Sequence, residues 1–476
     1  MARTALPIAA LLLSASITAC AAVGTEPKGV TRVGGAPPVA APADASGVLA
    51  FPGAEGFGAR ATGGRGGKVI TVTTLDTTGP GSLQEALDTP GPRIVVFAVS
   101  GVIADASGAN VQLTITEGDL TIAGQSAPGA GITIRGQLFT DYSDAPSNIV
   151  VRHLRVRPVY DGTDAAQFDA IQFSRAQRFI LDHVSVSGGA DETVDLYEAT
   201  DATVQWSAIE FPADVAPEGE TEGQVYGLVN GPDGARVSVH HNLFAHNRNR
   251  TPAIANGPAE VVNNVVYDMM RGFVHNNPAS GPFAFIGNHY KDGPSVDGAS
   301  FYFDAPEASD FATLSYYLDG NVYEGTGHCT AGPTDDPWAT CDLEQETPAS
   351  NRTTSAPAFT GDLHAPVTAT TAQEAWTAVL AGAGAFPRDA VTTQAVTQTM
   401  EGTGRWGIPY GTTTDLLAGL TPAATPVDTD ADGMPDVWEN ARGLSPTDPA
   451  DAASVQVSGY TAIEEHLNEL AAALVR

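Results

Sequence analysis

Short runs in which apolar and polar residues alternate recur along most of the chain: NIVVRHLRV (148–156), RFILDHVSV (178–186), ATVQWSAIE (202–210), RVSVHHNLF (236–244), AEVVNNVVY (259–267), PFAFIGNHY (282–290) and LSYYLDGNVY (314–323). A period of two over so few residues predicts β-strands, because successive side chains point to opposite faces. Aligned on His183, Ser207, Asn242, Asn264, Asn288 and Asn321, the runs are spaced by 24, 35, 22, 24 and 33 residues. The short intervals suit one turn of a β-solenoid, and the long ones a turn with an inserted loop. Asn at one repeated phase predicts a ladder in which each amide bonds to the next coil and satisfies polar groups that stacking buries. An irregular β-sandwich would explain the strands but not the shared Asn phase. The chain reads as all-β, a parallel β-helix.

The flanks change character. Ser82 is placed to cap a short helix from Leu83 to Asp88, and a helix ahead of the stack covers the open end of a solenoid. Residues 21–48 are rich in Gly, Ala, Pro and Val without periodicity and read as a flexible tether. The solenoid body is expected over 49–415, with a short amphipathic helix in AQEAWTAVLAGAGAF. A Pro/Ala/Thr linker at 416–427 then leads to a small C-terminal module at 428–476. Composition agrees: 51 Gly, 33 Pro and only 16% charged residues favour tight turns over helix.

Residues 1–20 combine Arg3, an apolar run from Ala5 to Ile17 and small residues before Cys20. This resembles a bacterial lipoprotein signal with Ile17, Thr18, Ala19 and Cys20 as the lipobox and Cys20 as the lipidated residue; ordinary cleavage after Ala19 or Ala21 is the alternative. Either predicts export to a secreted or cell-surface location, and the lipobox reading adds a lipid anchor in the bacterial outer membrane. No later stretch approaches the roughly 20 apolar residues that span a bilayer, so membrane attachment is expected only through the lipid. In an oxidising compartment Cys329 and Cys341 are expected to pair, closing the loop CTAGPTDDPWATC.

A net charge of −32 leaves no basic stripe and excludes nucleic acid as a partner. A polyanionic partner would need bridging cations. Separately, the segment DTDADGMPDVWE places Asp428, Asp430, Asp432, Gly433, Asp436 and Glu439 at positions 1, 3, 5, 6, 9 and 12 of an EF-hand loop, with the Met434 carbonyl at 7, and predicts a structural calcium outside catalysis.

The segments FPGAEGFGARATGGRGG, GSLQEAL, QFDAI, LDHVSVS, DETVDL and HHNLFAHNRNRTP follow one another in the order found in the polysaccharide lyase family that includes bacterial pectate lyases, which the chain resembles over roughly residues 50 to 410. The resemblance implies a right-handed parallel β-helix acting as a monomer on polygalacturonate by calcium-dependent β-elimination. It implies calcium ligands at Asp169, Asp191 and Asp195, with Glu192 as an alternate, and a catalytic Arg250 just before Thr251 and Pro252. The residues agree, since carboxylates on consecutive coils repel unless a hard cation with oxygen ligands neutralises them. Two departures stand out. No second arginine follows until Arg271, and GETEGQVYGLVNGPDGARVSVHH holds no lysine, which leaves Arg248 and Arg236 as candidate contacts to substrate carboxylates. A pectin lyase would lack the acidic site. A polygalacturonase would use paired carboxylates without the arginine, and a non-catalytic polysaccharide-binding β-helix is the reading from a different class.

Overall fold

The computed structural model describes residues 47–295, 300–302, 310–325, 332–333 and 349–475; Cys20, Cys329 and Cys341 lie outside them. The strands stack into three parallel ladders. The first runs from Lys68–Val72 through Arg93–Phe97, Leu120–Ala123, Ser147–Arg152, Gln177–Asp182, Thr200–Gln205 and Ala235–His240 to Ala259–Val262. The second runs from Val111–Ile115 through Gly136–Thr140, Ile171–Gln172, Glu192–Asp195 and Tyr226–Asn230 to Ala253–Asn256. The third begins at Gly101–Ile103 and ends at Val322–Glu324. A strand of 16 residues, Arg271–Ile286, pairs with the second ladder at its start and the first at its end, which joins the two into one 18-stranded sheet. This is a parallel β-helix, and its inward positions form one apolar core along the whole stack.

Between the first and third ladders the chain turns at a single left-handed residue in coil after coil. His153, His183, Trp206, His241 and Asn263 all have φ between 49° and 55°. The next residue carries the polar ladder. The Asn242 amide and side chain both donate to Asn264 Oδ1 at 3.0 Å, Asn264 does the same to Asn288 and Asn288 to Asn321. One expectation moves by a place. His183 sits in the corner, and Val184 is the true equivalent of Ser207, whose hydroxyl accepts from the Val184 amide at 3.2 Å. Corner side chains stack on one another instead, His153 on His183 at 4.8 Å and Trp206 on His241 at 4.5 Å. Asn264→Leu removes the acceptor of the buried Asn242 amide, which costs about 1–3 kcal/mol per orphaned group. The expected result is a lower urea midpoint at unchanged slope.

What covers each ladder decides where a site can lie. The outward side of the third ladder is covered: in its later coils Leu243, Ala245 and Val265 pack under the helices Ala372–Gly382 and Ala390–Glu401. A fully buried Arg157 ties the second of these helices down, bonding Asp389 at 3.0 Å and Glu210 at 2.8 Å. That helix is absent from the sequence expectations, because its Thr- and Val-rich face gives little periodicity and only the Asp389 cap marks its start.

Over the first ladder the Gly-rich segment lies as a strap. Its amides donate to outward side chains of four coils: Gly64 to Thr121, Thr62 to Asn148, Gly58 to Thr203 and Phe57 to Ser238. Approach is so close that a Cβ at Gly58 would stand 2.0 Å from the Phe179 carbonyl oxygen. The helix Leu83–Asp88, capped by Ser82 as expected, buries Leu83, Ala86 and Leu87 over the end of the core. Farther along the first ladder's outer face, Ile94, Val96 and Ala123 pack against Met434, Ile463 and Leu467 of the C-terminal segment. The second ladder differs, because its outward positions Gln112, Gln137, Gln172 and Asp195 are polar.

Candidate active site

Strand alternation places the core residues Ile171 and Val194 side by side and thereby aligns their neighbours Gln172 and Asp195 on the outer face of the second ladder. Asp169 lies just before the first of these strands. Asp191 and Glu192 open the second, where the Ala190 and Asp191 amides bond the Phe168 carbonyl and pin the two turns together. Ligand oxygens of Asp169, Asp191 and Glu192 thus come within 4.8 Å of one another.

The hydrogen bonds sort the four carboxylates. Asp195 accepts from the Tyr197 amide at 2.6 Å, Ser174 Oγ at 3.2 Å and Gln172 Nε2 at 3.3 Å, and Gln172 also reaches Asp169 at 3.4 Å. Asp169 further accepts from the Glu192 amide at 2.9 Å. Glu192, the alternate in the sequence reading, is therefore drawn into the cluster with Asp169 and Asp191, and Asp195 stands beside it, linked through Gln172.

Electrostatics mark the cluster as overcrowded. Burial, then the charges of Asp195 and Asp191, hold the Asp169 carboxyl well above the usual range. Burial pushes Asp191 up to about 6, with Asp164 and Glu220 adding to the rise, and does the same to Asp195. All the donors are oxygen and the charge is in excess, which fits a hard divalent cation such as calcium.

Arg250 completes the constellation. It has a left-handed φ of 57°, and its carbonyl accepts from the Leu228 amide of the neighbouring strand at 2.7 Å. Its guanidinium bonds Glu192 and lies over the Tyr226 ring at 4.0 Å. Burial lowers its pKa, against the charges of Asp191 and Asp169. Tyr226 gave no signal in the sequence, because nothing in QVYGLVN distinguishes it from a core aromatic.

The two arginines expected at the substrate part company. Arg248 bonds Glu222 and the Gly223 carbonyl, at 2.9 Å for the latter, two residues from Arg250. Arg236 lies on the first ladder, not the second, and its fork is occupied by Asp201 at 2.5 and 2.8 Å. The structure does not bring Arg236 to the cluster.

A second acidic group forms near the C-terminus. Asp428, Asp430 and Asp432 offer ligand oxygens within 4.8 Å of one another, and so do Asp432, Glu439 and Asp451. Asp436, expected at position 9, accepts from the Thr429 amide at 2.8 Å and hydroxyl at 2.7 Å, in the first turn of the helix Asp436–Arg442.

No family model matches the chain. Among curated proteins it is 35% identical over 440 residues to a probable pectate lyase C of Aspergillus fumigatus, covering 89% of this chain and 94% of the relative. It is 34% identical over 447 residues to the probable pectate lyase C of Emericella nidulans, with 89% and 93% covered. The solved pectate lyase of Paenibacillus sp. 0602 is similar at 14% identity and a TM-score of 0.48, covering 70% of this chain and 95% of that one. The chain belongs to the pectate lyase family, enzymes that act on polysaccharide.

Proposed function

We propose that the protein cleaves polygalacturonate by calcium-dependent β-elimination, releasing 4,5-unsaturated oligogalacturonides. The observation that carries this is the meeting of Asp169, Asp191 and Glu192 with Arg250 on the polar face of the second ladder. Calcium bound there would neutralise a galacturonate carboxylate and make the proton on the adjacent C5 easier to lose. Asp169, Asp191 and Glu192 would hold the cation, and Asp195 would position them through Gln172. Arg250 takes the C5 proton. The C5–H electron pair becomes the C4=C5 double bond, the C4–O bond breaks, and the leaving oxygen takes a proton from water. Burial moves Arg250 in the direction this role requires, towards the neutral guanidine, so the rate is expected to climb into the alkaline range. The Tyr226 ring beneath it fixes the plane of the guanidinium. Arg248 is the candidate contact for a second substrate carboxylate. Export, with Cys20 as a lipid attachment, is supported by Arg3, the apolar run and the lipobox.

The test is incubation of the purified protein with polygalacturonate while following ultraviolet absorbance of the unsaturated product, with and without chelator. Absorbance that rises in calcium and stops on chelation is expected. New reducing ends without absorbance would mean hydrolysis, and neither signal would reduce the protein to a binding role.

A further inference from the structure

The acidic group at the C-terminus has a feature that ordinary surface carboxylates lack. Glu439 is 0% exposed and Asp432 2%. Seven carboxylate oxygens of the group are buried with no hydrogen-bond partner among the described residues: one each from Asp428, Asp432 and Asp451, and both from Asp430 and Glu439. The remaining oxygens are fixed by backbone amides, Asp428 by Gly433 at 2.9 Å, Asp432 by Met434 at 2.9 Å and Asp451 by Ser445 at 2.7 Å. Each of those three carboxylates is held by one oxygen and offers the other. Asp432 belongs to both triads of converging ligands and so links the loop to Glu439 and Asp451. Burial and the neighbouring charges push both Asp432 and Glu439 up to about 7. Buried, unpaired oxygens in this number match the six to eight oxygen ligands of calcium.

We propose that Asp428, Asp430, Asp432, Glu439 and Asp451 bind one calcium-class cation, with Asp451 in the place that loop spacing would give to Asp436, and that this cation clamps the C-terminal segment onto the first coils of the β-helix. Asp451 comes from beyond the helix Asp436–Arg442, so the cation ties two separate stretches of chain together. The loop it shapes lies directly on the solenoid. A Cβ at Gly433 would stand 3.1 Å from Val69 and 3.2 Å from Val96. Met434 packs with Ile94, Val96 and Ala123. The helix Ala462–Leu474 adds two polar contacts, Arg65 to Glu464 at 2.8 Å and Arg152 to Asn468 at 3.1 Å. The exposed stretch 421–427 leads in, so without the cation the repelling carboxylates would loosen a segment held otherwise by this modest interface.

The test uses the full chain stripped with chelator and titrated calorimetrically with calcium chloride. Asp451→Asn keeps an oxygen for the Ser445 amide and removes only charge. It is expected to weaken one class of calcium sites by about tenfold or more, with lyase activity at saturating calcium unchanged; Asp436→Asn is expected to leave that class intact. Thermal unfolding should change sign: Asp451→Asn melts higher than the parent in chelator, where repulsion is relieved, and lower in excess calcium. Limited proteolysis should cut within 421–427 in chelator and be blocked by calcium. Unaltered titration in Asp451→Asn, loss of the site in Asp436→Asn, a melting shift of one sign in both conditions, or cleavage indifferent to calcium would each overturn the proposal. A failure of the eliminative reading would appear separately, as missing unsaturated product from a chain that still binds calcium here.

Discussion

Arg250→Lys is expected to lower kcat on polygalacturonate by about 10²–10⁴-fold, the range for loss of a positioned proton-transfer group, while thermal unfolding stays close to that of the parent. Lysine keeps a cation near Glu192 and the Tyr226 ring, so the fold loses little. What it loses is the planar fork, which fixes one nitrogen on Glu192 and leaves another edge for the substrate. KM should move far less than kcat, because binding falls mainly to the acidic cluster and its cation. A loss of only a few-fold, with KM carrying most of it, would remove Arg250 from the chemistry and leave it a binding role.

The second large effect is a proton–calcium competition. Burial pushes the Asp191 carboxyl up to about 6 from an ordinary 3.8. A cation must displace the proton there, and protons on Asp169 and Asp195 as well, so the calcium needed for half-maximal activity should rise by at least about tenfold for each pH unit below 6. The stability of the cation-free protein runs the other way. Below 3.8 the carboxyl is protonated folded and unfolded alike, and the folded form keeps the proton as pH rises. Between 3.8 and about 6 that advantage is progressively lost, and Asp195 adds to the loss in the same window. In chelator the melting temperature should therefore fall from pH 4 to pH 6.5, whereas in excess calcium it should not. Melting curves across that range in both media check the sign, and a chelated protein that gains stability with rising pH would contradict the crowding inferred for the cluster.

Repeats and spacing made the fold legible well ahead of the site. Period-two alternation revealed the strands, and the Asn phase revealed the coil, because both are set by contacts that recur every turn. The phase slipped only at His183, where the ladder position is the apolar Val184 and the polar residue beside it is the corner histidine. Asp169, Asp191 and Arg250 were visible as motifs. The preference for Glu192 over Asp195 in the tight cluster was not, because it depends on which oxygens Gln172, Ser174 and the Tyr197 amide already hold. Arg236 illustrates the same limit, since only the ladder assignment shows its fork closed on Asp201. Asp451 lies twelve residues past the loop's last ligand, outside any window in which a calcium-loop pattern is read. Local patterns encode local geometry, and these departures arise from contacts between coils or between distant stretches.

The docking of the C-terminal segment on the first coils has a consequence for how the chain matures. Successive coils can form from residues near one another in sequence, so the solenoid can assemble progressively as the chain is made. The strip Ile94, Val96 and Ala123 waits longest for its cover. Its cover arrives last, and the Arg65 contact to Glu464 closes across 399 positions of sequence. An unfinished or truncated chain therefore carries a sticky apolar edge that a finished one hides, which makes completion of the polypeptide itself the event that ends its exposure to aggregation and proteolysis.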